Sequence, residues 1–275
     1  MCTSAYTVPS WDCCYSSFKP HDPNEANKTH QKTMNFQEGE ILYFDKPLRW
    51  TSFNLVAKVR WLLCNRLGVK KLKVGHAGTL DPLATGVLIV CTGRATKRID
   101  ELQAGTKEYV ATLQLGATTP CFDLEKPIDK TYPTEHITLE GIRQVLPRFM
   151  GRIEQVPPAF SACKVDGHRA YKLARKGEEV ELKPKVLVID ELELQNFDPE
   201  TMQLTLRIVC SKGTYIRALA RDIGQALESG AHLIALRRTR IGDVRVEQCM
   251  KIEDFEPWME QQQIVNSSNR QIVKS

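Results

Sequence analysis

An α+β fold built on a largely antiparallel mixed sheet is predicted by two observations. Stretches with the two-residue period of a strand and stretches with the 3.6-residue period of a helix are interspersed along the chain. They do not alternate in the regular strand–helix–strand manner of a doubly wound sheet. No internal repeat is present. Residues 1–33 follow neither period, are rich in Ser, Thr, Pro and Asn, and are read as a disordered extension. One domain is expected over 34–247, followed by a short tail at 248–275.

The elements follow in order. ILYFDKP (41–47) reads as a strand ended by Pro47. Thr51 and Ser52 are N-cap candidates for a helix whose apolar Leu55, Val56, Val59, Leu62, Leu63 and Leu67 recur at helical spacing, and Gly68 stops it. VLIVCTG (87–93) is a short continuous apolar run, as in a buried central strand. In YVATLQLG (109–116), Tyr109, Ala111, Leu113 and Leu115 alternate onto one face. Residues 135–150 read as helical, and LTLRIVC (204–210) alternates again. YIRALARDIGQALESG (215–230) reads as a helix with Ile216, Leu219, Ile223 and Leu227 inward. Residues 152–185, rich in Lys, Arg, Gly and Pro, read as a mobile surface excursion.

Composition narrows the class. Of 275 residues, 42% are hydrophobic, enough for a core, and no apolar run is long enough to span a membrane. The nine cysteines form no CxxC pair, as expected of a reduced, cytoplasmic chain. Net charge is +5, with residues 1–33 neutral and 248–275 at −1, so the basic excess lies in the middle. There is no GxGxxG, no GK[ST] and no GxSxG, which argues against a nucleotide cofactor or a serine hydrolase.

GHAGTLDPLATGVL (75–88) concentrates chemistry in a stiff setting. Pro82 biases Asp81 towards extended backbone, so one carboxylate is presented from a braced loop before a buried strand. Capping of a turn is the structural alternative for Asp81. His76 has no partner in metal-ligand register and reads as a packing residue or as a stacking surface for a base. In CSKGTYIRALARDIG (210–224), Arg217 is of the type that grips a carboxylate with two prongs, and Tyr215 of the type that stacks on a base. A solvated arginine at an exposed helix start is the alternative. QVPPAFSACKVDGHRAYKLARKG (155–177) and LRRTRIG (236–242) mix basic residues with aromatics or glycines, as surfaces for single-stranded RNA do.

These segments together resemble the TruB family of tRNA pseudouridine synthases. GHAGTLDPLATGVL resembles its catalytic motif, and DKPLRWTS (45–52), KEYVATLQLG (107–116), PPAFSACKVDGHRAY (157–171), CSKGTYIRALARDIG and GAHLIALRRTRIG (230–242) follow in the family's order over about 36–247. The resemblance implies the pseudouridine synthase fold with a thumb-like insertion, for which 152–185 is the candidate. It also implies isomerisation of uridine 55 in the TΨC loop of the tRNA T-arm after the base is flipped out. Asp81 matches the catalytic aspartate. Tyr109 matches the aromatic that stacks on uracil, and Arg217 matches the arginine paired with the aspartate. Tyr215 and Leu236 match further pocket positions, Lys46 the lysine of a Lys-Pro pair near the site, and His76 an RNA contact where the base has left. The carboxylate could attack C1′, attack C6 or remove the 2′ proton. No cofactor or metal is implied, and a monomer without an obligate protein partner or membrane attachment is expected. A guide-RNA-dependent synthase and a non-catalytic tRNA-folding factor are the rival readings.

The chain departs from the family twice. Arg49 stands where glycine is usual, a strained choice if the backbone there has positive φ. The residues after 247 are too few for the PUA domain many relatives carry.

Overall fold

The computed structural model describes the chain except residues 1–32, 162, 166, 167, 171, 172, 174, 175, 177–181, 267–270, 274 and 275. The expected disordered extension therefore lies outside the described residues, apart from Thr33. One mixed sheet organises the rest. Its strands are β1 (Ile41–Lys46), β2 (Val74–Ala77), β3 (Ala84–Thr92), β4 (Lys107–Leu115), β5 (Gly151–Gln155), β6 (Lys185–Asp198), β7 (Gln203–Cys210), β8 (Ala231–Ile241) and β9 (Val244–Arg245). They run in the order β1-β3-β8-β4-β7-β6-β5, with β2 on β3 and β9 on β8. All pairs are antiparallel except β3 with β8, the predicted α+β pattern. The helices are α1 (Ser52–Leu67), α2 (Ile99–Ala104), α3 (Leu139–Val145), α4 (Ile216–Ala226) and α5 (Phe255–Glu260). No helix among the described residues is long and apolar enough to cross a membrane.

Helix α1 follows the sequence pattern closely. Thr51 caps it through the Asn54 N–H in a reciprocal capping box, Gly68 ends it in the left-handed conformation, and all six predicted apolar residues are buried. Burying one such side chain is worth roughly 1.5–3 kcal/mol against about 1 kcal/mol for a cap, so the apolar stripe holds the helix and the caps set its ends. Strand β4 buries Tyr109, Ala111, Leu113 and Leu115 as predicted, and β3 is buried along nearly its whole length. At Gly86 (φ +104°) an added Cβ would lie 2.1 Å from the Arg238 carbonyl oxygen, so a glycine is what lets β3 and β8 meet.

Three expectations are corrected. Residues 152–185 are not an excursion throughout: 152–155 belong to β5, which pairs with 185–189 of β6, so both ends are anchored in the sheet. Four residues are too few to show a period, which hid the strand. Parts of the interior of this segment lie outside the described residues. LRRTRIG is no free basic surface: Arg237 pairs with Asp45 at 2.7 Å, Arg238 is buried, and Arg240 reaches Glu108 at 3.6 Å. The stretch read as a tail is built into the core as far as Ile264, with Ile252, Phe255, Met259 and Ile264 packed against α1 and β1. Met34 and Ile264 form a parallel bridge, its N–H groups at Met34 and Val265 donating to Gln263 and Met34 at 2.8 and 3.0 Å.

Arg49 has φ +67°, the left-handed conformation that suits glycine. Arg49→Gly removes a side chain from a backbone that disfavours it, and the flexible glycine of the unfolded chain offsets part of the gain. A net stabilisation of about 0.5–1 kcal/mol is expected, read as a rise of a few degrees in thermal midpoint or a higher urea midpoint. An unchanged or lowered midpoint would show that the Arg49 side chain makes compensating contacts.

Candidate active site

A cleft of about 510 Å³ opens over the middle of the sheet. Its size is that of a pocket for a small ligand. The floor comes from neighbouring positions of two paired strands. Arg238 of β8 stands opposite Tyr109 of β4, and Leu236 opposite Ala111. One wall is the loop from His76 to Pro82, and the other runs from Ser211 to Arg217 at the start of α4.

Asp81 opens a tight turn, its carbonyl accepting from the Ala84 N–H at 3.1 Å, with Pro82 at the position that favours proline. That turn bond belongs to the Asp81 backbone, while the carboxylate goes to Arg217 rather than capping the turn. The side chain meets Arg217, whose Nε donates to Oδ2 at 2.9 Å and whose Nη2 donates to Oδ1 at 3.3 Å. Arg217 is only 6% exposed, so it is not a solvated helix start. Two further N–H groups donate to the carbonyls of Cys121 at 3.1 Å and Phe160 at 2.9 Å. Asp123, which nothing in the local pattern singled out, is buried with Oδ2 3.6 Å from the same Nε. Small Ala220 and Gly224 follow Arg217 on the buried side of α4, and a Cβ at Gly224 would strike the Ala231 backbone at 2.4 Å. Close packing on β8 therefore sinks the guanidinium to the depth of the carboxylate.

The loop bearing Asp81 is held by its own backbone. The Ser52 hydroxyl accepts from the Leu80 N–H at 2.9 Å and donates to the Leu80 carbonyl at 3.2 Å. The Arg49 N–H donates to the Pro82 carbonyl at 2.8 Å. Arg238 donates to the carbonyls of Val87 (2.8 Å), Gly78 (3.1 Å) and Thr79 (3.4 Å). Lys46 is fully buried and lies behind the loop rather than lining the cleft. Its ammonium donates to the carbonyls of Trp50 at 2.6 Å and Pro47 at 2.9 Å, with Pro82 at 3.5 Å. Burial pushes the Lys46 ammonium down to about 8 against the opposing pull of Asp81. Burial likewise pushes Lys107, which lines the cleft, down to about 8.

Tyr109 is buried on the floor, and burial raises its phenol above the usual range while Arg238 opposes. Tyr215 lines the wall with its phenol also raised by burial, and its backbone N–H donates to Gln155 at 2.9 Å. His76 lines the cleft with its imidazole pushed down by burial and by Arg238. Its buried Nδ1 has no partner among the described residues. Six of the seven residues singled out from sequence, namely Asp81, Tyr109, Arg217, His76, Tyr215 and Leu236, thus share one cleft, and Lys46 supports it from behind.

Comparison with known proteins matches this geometry to a family. Residues 65–216 match the model of the TruB family pseudouridylate synthase N-terminal domain, and residues 217–274 that of the tRNA pseudouridylate synthase B C-terminal domain. The two matches meet inside α4, so the boundary between them is not a boundary of the fold. A protein of Phocaeicola vulgatus named tRNA pseudouridine synthase B is 69% identical over 231 residues, covering 84% of this chain and 97% of that protein. A protein of the same name from Flavobacterium johnsoniae is 51% identical over 80% of this chain and 96% of that protein. Among solved structures, a chain in the crystal structure of a Cbf5-Nop10-Gar1 complex superposes with a TM-score of 0.60 at 29% identity. The match covers 82% of this chain and 55% of that one, so this chain spans about half the length of that structural relative. On the family models, the relatives and the shared sheet, the chain belongs to the TruB family of pseudouridylate synthases.

Proposed function

We propose that the protein is an isomerase that converts uridine to pseudouridine in tRNA, at position 55 of the TΨC loop. The observation that carries this reading is the Asp81 carboxylate, gripped by the buried Arg217 guanidinium at the edge of a cleft floored by Tyr109 and Leu236. The names of the tRNA pseudouridine synthase B relatives support tRNA as substrate. The protein acts as a cytoplasmic monomer without an obligate protein partner.

A uridine in a folded loop must leave the stack before its glycosidic bond can be reached, at a cost of a few kcal/mol. The cleft receives the extruded nucleoside, the Tyr109 ring lies against the uracil, and Leu236 completes the apolar floor. Asp81 faces the sugar and acts on the nucleoside. The N1–C1′ bond breaks, the uracil turns, and C5–C1′ forms. The C5 proton is lost and N1 gains one, so the conversion is an isomerisation with no net redox change. His76, whose Nδ1 lacks a protein partner, meets the RNA where the base has left, and Tyr215 closes the opposite wall.

Asp81→Asn should abolish pseudouridine formation while tRNA affinity stays within several-fold of wild type, read by mapping pseudouridine in tRNA and by a binding titration. A mutant that still isomerises uridine would remove Asp81 from its role. A wild type that binds tRNA without modifying it would favour a folding factor. Arg217→Lys keeps the charge but replaces a planar fork with a point donor, and kcat should fall by roughly 100-fold, about 2.7 kcal/mol. Near-wild-type kcat in the folded variant would show that the fork is dispensable. Phosphate contacts should make tRNA affinity fall steeply with salt, by roughly tenfold or more between 50 and 200 mM. Salt-independent binding would argue against an RNA substrate.

A further inference from the structure

Phe53 is 67% exposed, although phenylalanine is a residue the core normally claims. It lies in the lining of the cleft, on the first turn of α1. Its ring has no aromatic or cationic neighbour among the described residues, whereas exposed Trp61 on the same helix is covered by the Lys58 ammonium at 4.8 Å.

The backbone around Phe53 is fixed with unusual care for an exposed residue. Thr51 and Asn54 close a reciprocal capping box across it. Ser52, the residue before it, is the one that clamps Leu80 by both N–H and carbonyl. Leu80 immediately precedes Asp81. Phe53 and Asp81 are therefore each one residue from a shared two-bond clamp, which fixes the backbone that carries the ring relative to the backbone that carries the carboxylate. Of the cations that line the cleft, Lys107, Arg217 and Arg238 are buried and donate to groups of the protein, while Lys212 is exposed and offers its charge to a polyanion.

We propose that Phe53 is a stacking platform for a nucleobase flanking the uridine that enters the cleft, an inference that rests on the proposed function. Extrusion of a base strips its neighbours of a stacking partner. A planar apolar face at the mouth replaces that partner without reading the identity of the base. His76 deals with the gap inside the cleft, and Phe53 holds the strand at its rim.

The test uses the full-length protein with Phe53→Ala, Phe53→Leu and Phe53→Trp, and a T-arm stem-loop RNA as probe. Because the ring is exposed, all three should keep the wild-type melting temperature. With Phe53→Ala, KM and the dissociation constant measured in an Asp81→Asn background should rise about tenfold, while kcat changes less than threefold. Phe53→Trp should bind within threefold of wild type, and Phe53→Leu should resemble Phe53→Ala. Wild-type affinity in Phe53→Ala, or in Phe53→Leu, overturns stacking. A change in sedimentation between wild type and Phe53→Ala, with unaltered RNA affinity, assigns the ring to self-association and also overturns it. A wild type that neither binds nor modifies the RNA overturns the proposal together with the reading beneath it. Normal turnover with an unaffected Phe53→Ala overturns the proposal alone.

Discussion

Asp81 and Arg217 are 136 residues apart in sequence and 2.9 Å apart in space. The two-pronged contact between them ties the loop before β3 to the start of α4. The guanidinium is not free to turn, because two further N–H groups donate to the carbonyls of Cys121 and Phe160. It is also buried against a second carboxylate, Asp123. A buried arginine between two carboxylates and two carbonyls is stable as a unit, and removing one member leaves charge stranded in a poor solvent. The site is therefore held as a set.

The same logic runs beneath the loop. Three cations, Lys46, Lys107 and Arg238, are buried around the loop and the floor of the cleft, and burial pushes both lysines down. Each compensates by donating to backbone carbonyls, those of Lys107 belonging to Gln103 and Gly105. Carbonyls of an irregular loop have no strand partner, and a buried carbonyl without a donor costs free energy comparable to a lost hydrogen bond. Lysine and arginine supply several donors on one long stem, which lets a non-repetitive backbone pack in the core. Lys46 does this for two segments at once, holding the bend from Pro47 to Trp50 and reaching the Pro82 carbonyl of the loop that bears Asp81.

Much of this was legible because it is local. Helix α1 wrote its cap, its apolar face and its stop into seventeen consecutive residues, Thr51 to Leu67, followed by Gly68. The alternation of β4 named its buried face, Tyr109 included. What escaped was polar and distant. Asp123 looks like any loop aspartate until the fold brings it to Arg217. Arg238 sits among other arginines, and composition cannot distinguish a guanidinium spent on carbonyls from one waiting for phosphate. Ser52 looked like a second capping candidate, yet the cap is Thr51 and the hydroxyl of Ser52 serves the loop 28 residues away. Arg49 was the reverse case: the departure from glycine raised the question of positive φ, and only backbone geometry could answer it.

The bridge between Met34 and Ile264 joins the first and last parts of the described core. A chain emerging from the ribosome cannot complete this contact until Ile264 has been made, long after α1. The hydrophobic face of α1, which packs against Phe255 and Ile264, must therefore stand bare until those residues have been made.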